Sequence, residues 1–549
     1  MNGKPCATAR SEATGVAAAV LALLLLTIAS VGARAAPVST ASVHARNFNF
    51  DAVLDAVLSR YQLPGLAVGV IANGQVVYIG TRGELVAGSG RRVTADSVFK
   101  IASNSKAMTS SLLARLVDVG KLRWEDPVTR YLPQFRMYDP WVTREMQVRD
   151  LLVHHSGLPE GGGDLMLWPE PNDFTRADII AGLAYIKPAY SFRSGYAYDN
   201  LLYVVAGEVA AAAGGASYEE LVRREVFVPL GLSHCRVGEW TSDTLDDVAQ
   251  PHMRKDGVNV LIGADPVHVR TITSAAAGGI RCSLNDMLAW ARNWLDPTPR
   301  QLAWLSSAQR EAAWTPRTPM PISARRKRWD GSHIYAYGYG WRMSDVDSAW
   351  TVSHTGTLNG MYSVMTLLPD GKNGFVVLIN GDGDAARTVL NEMLLKHFTA
   401  PGKLRTVASY ADELAEESSA RHPQVVPASA RHPDAVPTPA REAASVGQLH
   451  DWLGVYADPW FGEVRVCERS GQVRFQATKS PQLSGTVKRV GDRYLVDWDQ
   501  DSVDAEAWLK FLEDRKRGPK RLTMSKVDPA ADFSFDYEDL AFERIRACD

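Results

Sequence analysis

The chain has almost no net charge: 60 lysines and arginines stand against 62 aspartates and glutamates in 549 residues, a balance of -2. That removes any general reason to expect a nucleic-acid partner, and the one basic run, Arg325-Arg326-Lys327-Arg328, reads as a solvated loop. Gly-x-Ser-x-Gly does not occur, which excludes the nucleophile elbow of the α/β-hydrolases. Gly161-Gly162-Gly163 lacks the Gly-Lys-Ser/Thr ending of a phosphate loop and reads as a flexible loop. His154 and His155 adjoin, but no second ligand group stands at metal spacing, so neither a metal nor a cofactor is expected. Cysteine is scarce, five in all, and Cys6 falls in a segment that does not belong to the fold.

That segment, residues 1–35, joins Lys4 and Arg10 to an apolar run over 16–31 and a small-x-small site, Ala33-Arg34-Ala35. It reads as a cleavable signal peptide, so a periplasmic or secreted protein is expected, with no stable membrane span after cleavage. With 46% hydrophobic and 22% charged residues, the rest has ordinary globular composition and length enough for two or three domains.

The most informative feature present is Ser103-Asn104-Ser105-Lys106. Met108, Leu112, Leu116 and Val119 recur behind it at helical spacing until Gly120, which places Ser103 near a helix N-terminus and Lys106 one turn on, on the same face. Unpaired backbone N–H groups there favour developing negative charge, and a lysine amine in reach of a serine hydroxyl can activate it. Ser97-Val98-Phe99-Lys100 fits the same letters, but the helical stripe begins after it. Tyr198-Asp199-Asn200, the only Tyr-x-Asn, follows a Gly-bearing loop, so a phenol and an amide can face one cleft. His354-Thr355-Gly356 continues an extended segment from Trp350, where a hydrogen-bonding residue and a glycine let a substrate backbone approach a strand edge. His155-Ser156-Gly157 is a rival third motif that comes too early in the chain.

Taken in this order, the three motifs resemble the serine β-lactamase-like hydrolases of the class C and penicillin-recognising type. The resemblance spans about 50–395 and is supported by Leu151-Leu152-Val153-His154-His155-Ser156-Gly157-Leu158-Pro159, Ala277-Gly278-Gly279-Ile280 and Tyr337-Gly338-Tyr339-Gly340-Trp341. It implies that Ser103 is acylated, that Lys106 and Tyr198 share the proton traffic, and that Asn200, His354, Thr355, Gly356 and Thr357 bind substrate. Asn200 would hold the substrate amide and orient Lys106, and the N–H groups of Ser103 and Thr357 would form the oxyanion hole. Lys106 and a protonated His354 would favour the Tyr198 phenolate; which of Lys106 and Tyr198 is the acylation base stays open. Two departures stand out: His354 where a lysine is usual, closer to the D-Ala-D-Ala carboxypeptidase and D-aminopeptidase branch, and Phe192-Arg193-Ser194-Gly195 where a Pro-Gly pair is common.

The expected fold is α/β in the α+β sense. A helix over 51–60 is followed by strands over 66–72 and 75–79 joined by Asn73-Gly74, and strands at 335–343, 362–368 and 375–379 return to one antiparallel sheet. Helices flank the sheet and a helical insertion holds Tyr198, within a catalytic domain over 45–400. A Pro/Ala-rich linker, 401–447, repeats Ala420-Arg421-His422-Pro423 as Ala430-Arg431-His432-Pro433. Residues 448–549 form a small β-barrel, and Trp452-Leu453-Gly454-Val455-Tyr456 resembles a lipocalin-like accessory domain. Cys467 and Cys548, the only cysteines of that domain, are expected to pair; Cys235 and Cys282 form either a second disulfide or two buried thiols. The function expected is an exported serine hydrolase acting through an acyl-enzyme on a small peptide or ester. A D-residue-containing peptide is the foremost substrate, with an esterase or weak β-lactamase as alternatives and an inactive scaffolding protein as the reading from another class.

Overall fold

The computed structural model describes residues 48–241, 247–421, 441–513 and 520–548. The expected signal peptide and linker residues 422–440 lie outside them. Asn49 caps the first helix, α1 (Phe50–Tyr61), and Leu54 and Val57 bury its inner face. The chain then enters β1 (Gly65–Ala72) and turns at Asn73-Gly74, both at positive φ, into β2 (Gln75–Gly83). The remaining strands of this sheet come much later: β3 (Thr318–Pro319), β4 (Tyr335–Tyr337), β5 (Arg342–Val346), β6 (Ala349–Leu358), β7 (Met361–Leu368) and β8 (Asn373–Ile379). The eight run β2-β1-β8-β7-β6-β5-β4-β3, antiparallel throughout.

Both faces of the sheet are covered, so its central strands are buried nearly end to end: β1 and β8 read as continuous apolar runs instead of alternating ones. On one face Val68, Val70, Val377 and Ile379 pack with α1 and a C-terminal helix over Asp384–Thr399. On the other, Ala67, Val376 and Leu378 join the larger core built on α2 (Ser105–Asp118) and α3 (Leu201–Gly214). At the 25 cal/mol per Å² typical of apolar burial, each large side chain fully enclosed this way contributes about 1.5–3 kcal/mol.

Two regions differ from the sequence expectation. The first part of the 401–447 linker is a helix, Val407–Arg421, because Val407, Tyr410, Ala411 and Leu414 form a buried stripe that intervening charges obscure. The basic run is not a solvated loop either. It lies on the helix Ala324–Asp330, where Arg328 Nη2 reaches Glu413 at 2.6 Å and Arg325 reaches Glu417 at 3.3 Å on that second helix.

The C-terminal region closes on itself. Strands β9 (Gly454–Asp458), β10 (Gly462–Arg469), β11 (Gln472–Ala477), β12 (Ser484–Val490), β13 (Arg493–Trp498), β14 (Ala507–Leu512), β15 (Arg521–Lys526) and β16 (Ala541–Arg546) run β12-β11-β10-β9-β16-β15-β14-β13, and the β12–β13 pairing closes the barrel. Tyr456, Phe475, Val487, Leu522 and Phe542 fill the inside, making it a packed core. Cys467 and Cys548 are bonded, tying β10 to the residues after β16, and Cys235 and Cys282 form the second disulfide. The barrel packs on the catalytic region: Asp173 N donates to Lys479 O at 2.7 Å, Lys479 pairs with Asp178 at 2.7 Å, and Asn359 Nδ2 donates to Ser502 O at 2.8 Å.

Candidate active site

Ser103 lies in a single 3-10 turn, Ala102–Asn104, that runs straight into α2. Ala102 holds φ +48°, a left-handed conformation costly for a side chain with a Cβ, so the backbone is strained at the residue that aims Ser103. The strain is held by contacts on both sides. Asn104 Nδ2 donates to Ser363 Oγ at 2.8 Å, and Ser363 Oγ donates to Ile101 O at 2.7 Å, tying the turn to β7. Gly356 on β6 meets the same turn. A Cβ there would stand 2.3 Å from Ile101 O, so the glycine serves this internal approach.

Lys106 is buried, and its Nζ reaches Ser103 Oγ at 3.2 Å, Asn200 Oδ1 at 2.7 Å and Ala277 O at 2.9 Å. The Tyr198 and Tyr203 rings lie under it, with Nζ 4.8 and 5.1 Å from their centroids. Burial brings the Lys106 amine down to about 7, against the pull of Asp164 and Asp199 in the other direction. Tyr198 is equally enclosed, and burial drives its phenol upward, only partly opposed by Arg342 and Ser103. Among the described residues its hydroxyl has no partner at hydrogen-bond geometry. Burial thus runs against the expected phenolate: it holds Tyr198 toward the phenol, and of the two groups Lys106 gives up its proton the more readily.

Tyr198 is held by a folded-back loop. Arg193, at φ +62°, donates from its backbone to His155 O at 2.8 Å, and Ala197 N donates to His154 O at 3.1 Å. The His155 ring at 2.8 Å and the Arg193 side chain at 2.6 Å share the Asp150 carboxylate. The His154 ring lies 4.2 Å from the Tyr198 ring, tilted 38° to it, its Nδ1 accepting Asp199 N–H at 3.2 Å. Ser156 of the rival motif donates to Asp199 at 3.1 Å, away from Ser103.

The pleat of β6 decides what the third motif presents. His354 and Gly356 point into the protein, whereas Thr355 and Thr357 share the opposite, more exposed face. His354 is fully buried. Its Nδ1 bonds Thr355 O at 2.7 Å, which requires N–H there, and its Nε2 then accepts from Tyr337 OH at 2.7 Å. Burial, with Arg342 and Lys106 nearby, pushes its pKa well below the ordinary value. His354 is thus neutral and internally satisfied, a correction to the expectation that it supplies a cation. Arginines supply the charge instead. Arg342 Nη1 donates to Thr355 Oγ1 at 2.6 Å, and Arg387 Nη1 donates to Thr357 Oγ1 at 2.7 Å and to Gly356 O at 2.6 Å. Arg387 is paired with Asp384. Arg342 has no carboxylate at ion-pair distance among the described residues, its Nε is buried without a partner, and its guanidinium lies 5.8 Å from the Tyr198 ring centroid.

Asn200 bonds within the protein at both ends of its amide. Oδ1 accepts from Lys106, and Nδ2 donates one of its two N–H groups to Asp164 Oδ2 at 2.8 Å, so it orients the lysine as expected. Sequence reasoning missed Arg342, Arg387 and Asp164. A signal for the first existed in its place directly after Tyr337-Gly338-Tyr339-Gly340-Trp341 on a strand beside the third motif; Arg387 and Asp164 had none.

A serine and a lysine of lowered basicity at hydrogen-bond distance, with a buried phenol and the Arg342 guanidinium beside them, are thus carried together by an antiparallel sheet and its flanking helices. The chain belongs to the Beta-lactamase family, which it matches over residues 50–398, and this is a family of hydrolytic enzymes. Residues 438–544 match a domain of unknown function, DUF3471. Among relatives, Penicillin-binding protein 4 of Amycolatopsis lactamdurans is 27% identical over 338 residues, 60% of this chain and 83% of that one. An unguisins hydrolase of Aspergillus campestris is 25% identical, with 64% of each chain covered. The D-alanyl-D-alanine-carboxypeptidase/endopeptidase AmpH of Escherichia coli is 29% identical over 42% of this chain and 57% of its own length. In solved structures, the octameric penicillin-binding protein homologue of Pyrococcus abyssi shares the fold at TM-score 0.54 and 18% identity, covering 86% of this chain and 97% of that one.

Proposed function

We propose that this protein is an exported serine hydrolase that is acylated at Ser103 and cleaves an amide beside a carboxylate, as a carboxypeptidase on peptides ending in a D-residue. In acylation the Ser103 proton passes to neutral Lys106 Nζ as Oγ attacks the carbonyl. The leaving nitrogen takes a proton by way of the Tyr198 hydroxyl, and water then cleaves the ester, returning the proton along the same path. The observation that carries the reading is the pairing of Lys106, 3.2 Å from Ser103 and with a pKa of about 7, with the Arg342 guanidinium, which has no counter-ion among the described residues. Arg342 next to Thr355 is suited to a substrate carboxylate. The carboxypeptidase named among the relatives supports the same choice, and the two disulfides support export to an oxidising compartment.

The test is a fluorophosphonate or penicillin adduct mapped by mass to Ser103, followed by profiling on peptides with and without a C-terminal carboxylate. Arg342→Ala should raise KM for the free-acid peptide about 10-fold or more and leave the corresponding amide or ester little changed. Equal losses on both substrates would remove the carboxylate from the reading.

A further inference from the structure

The barrel sends one segment back into the catalytic region. Between β15 and β16 the chain passes through Asp532-Phe533-Ser534-Phe535-Asp536 and reaches the turn formed by Gly161, Gly162 and Gly163. These glycines are not the flexible loop that sequence alone suggests. Gly161 N–H donates to Tyr198 O at 2.8 Å, and a Cβ on Gly161 would stand 2.7 Å from Phe533. The Phe533 ring packs edge-on to Tyr198 with centroids 5.8 Å apart. The Asp536 carboxyl accepts from Gly163 N at 2.6 Å and Leu165 N at 3.1 Å, gripping the backbone on both sides of Asp164. Ser534 Oγ donates to Asp164 Oδ2 at 2.8 Å. From there the chain of hydrogen bonds continues without a gap through Asn200 to Lys106 and Ser103.

We infer that the barrel is a working part of the active site: its segment Asp532–Asp536 holds Asp164, which through Asn200 fixes Lys106 against Ser103, and Ser534 is a positioning residue for the reaction. This rests on the reading of Ser103 and Lys106 given above. The Asp164 carboxyl is wholly buried, so its charged form depends on the donors it has, Ser534 and Asn200; burial pushes its pKa up to about 8. The groups facing it are Lys106 from α2 and Asp532 and Asp536 from the barrel. Lys106 in turn faces Asp164, Asp199 and Arg342, the rings of Tyr198 and Tyr203, and the buried His154 and His354. Removing the Ser534 hydroxyl takes away a donor that favours the Asp164 carboxylate. Because that carboxyl is already largely protonated where Lys106 titrates, the loss is one of position: Asp164 is held less firmly, and through Asn200 the Lys106 amine loses part of its anchor.

The experiment is the second-order rate of fluorophosphonate labelling of the full chain against pH, with the adduct mapped by mass. Ser534→Ala should lower the plateau rate about 3- to 10-fold, and Ser534→Thr should restore it. Asp164→Asn should lower the plateau in the same way, and adding Ser534→Ala to it should give little further loss, which keeps the test intact if Ser534→Ala folds poorly. Lys479→Ala breaks a barrel contact away from the site and should leave the plateau unchanged. Label on Ser103 with an unchanged plateau in Ser534→Ala and Asp164→Asn would overturn the inference, as would full additivity of the two or an equal loss in Lys479→Ala. Label on another residue in the wild-type protein would instead overturn the reading of the site beneath it.

Discussion

Ser97 and Ser103 each stand at i-3 from a lysine, and the fold gives the two pairs opposite surroundings. Lys106 follows Ser103 within one continuous helical turn, so its amine returns to the hydroxyl at 3.2 Å. Lys100 follows Ser97 along a short strand, Val98–Lys100, where side chains point away from one another; Ser97 accepts from Thr94 N at 2.7 Å and donates to Asp247, while Lys100 turns toward Asp265 at 3.8 Å. Both lysines are pushed below their usual pKa by burial, so desolvation alone does not make a base useful. What separates them is geometry: only one has a hydroxyl within reach.

The widest separation between the two pairs should appear in activity. Ser103→Ala is expected to abolish covalent labelling and lower kcat by about 10⁴- to 10⁶-fold, while Ser97→Ala retains wild-type labelling stoichiometry. Intact-mass measurement on both variants checks this directly, and an adduct surviving Ser103→Ala would reverse the assignment of the pairs.

The lysines should separate by less. Lys106→Ala is expected to lower the acylation rate by about 10²- to 10⁴-fold, with Tyr198→Phe inside the same range, and the double variant little worse than the worse single because both serve one proton path. Single-turnover kinetics would reveal full additivity if the two acted independently. Lys100→Met should change acylation less than about 3-fold, since it touches Asp265 and not the nucleophile.

How much of this was open to inspection in the sequence follows from the range of each interaction. Ser103 and Lys106 are joined by local helix geometry, and the hairpin at Asn73-Gly74 by local turn chemistry, so both could be read from neighbouring letters. The charge on His354 could not be read from its identity, because strand parity buries it beside Tyr337 and places Thr355 and Thr357 on the open face; Val352 and Gly356, which share the inward face, carried that information unread. Asp164 and Ser534 lie 370 positions apart, and no spacing rule spans that distance. Val407–Arg421 was hidden for another reason: its apolar stripe is narrow, and its Glu413 and Glu417 are matched by arginines of a distant helix.

The pH dependence sharpens the comparison further. With Lys106 at about 7 and acting as the base, labelling of Ser103 should rise about tenfold per pH unit below that point and level off above it. The sign follows from the neutral amine being the reactive form. Because burial lifts the Tyr198 phenol instead of lowering it, no second rise is expected between pH 7 and 10, as a phenolate base would give. A rate still climbing at pH 9 would move the base from Lys106 to Tyr198. The neighbouring Asp199, up to about 7 through burial, titrates in the same window, so Lys106→Ala is the control: its residual rate should lose the acid limb.

The smallest effect belongs to the silent pair and is one of stability. Ser97 is fully buried, and its hydroxyl satisfies both the Thr94 amide and the Asp247 carboxylate. Ser97→Ala deletes a donor and an acceptor together and leaves two polar groups with one partner fewer, which costs about 1–3 kcal/mol for groups of this kind. The strand it opens pairs Phe99 with Cys282, and Cys282 is bonded to Cys235, so the disulfide should keep the strand in register and confine the loss to those hydrogen bonds. Thermal unfolding should therefore fall by a few degrees at unchanged labelling rate. Repeating the measurement under reducing conditions, where the Cys235–Cys282 tie is lost, should enlarge the gap between Ser97→Ala and wild type; a gap that stays the same would show that the strand is held by packing alone and that the serine acts only as a local cap.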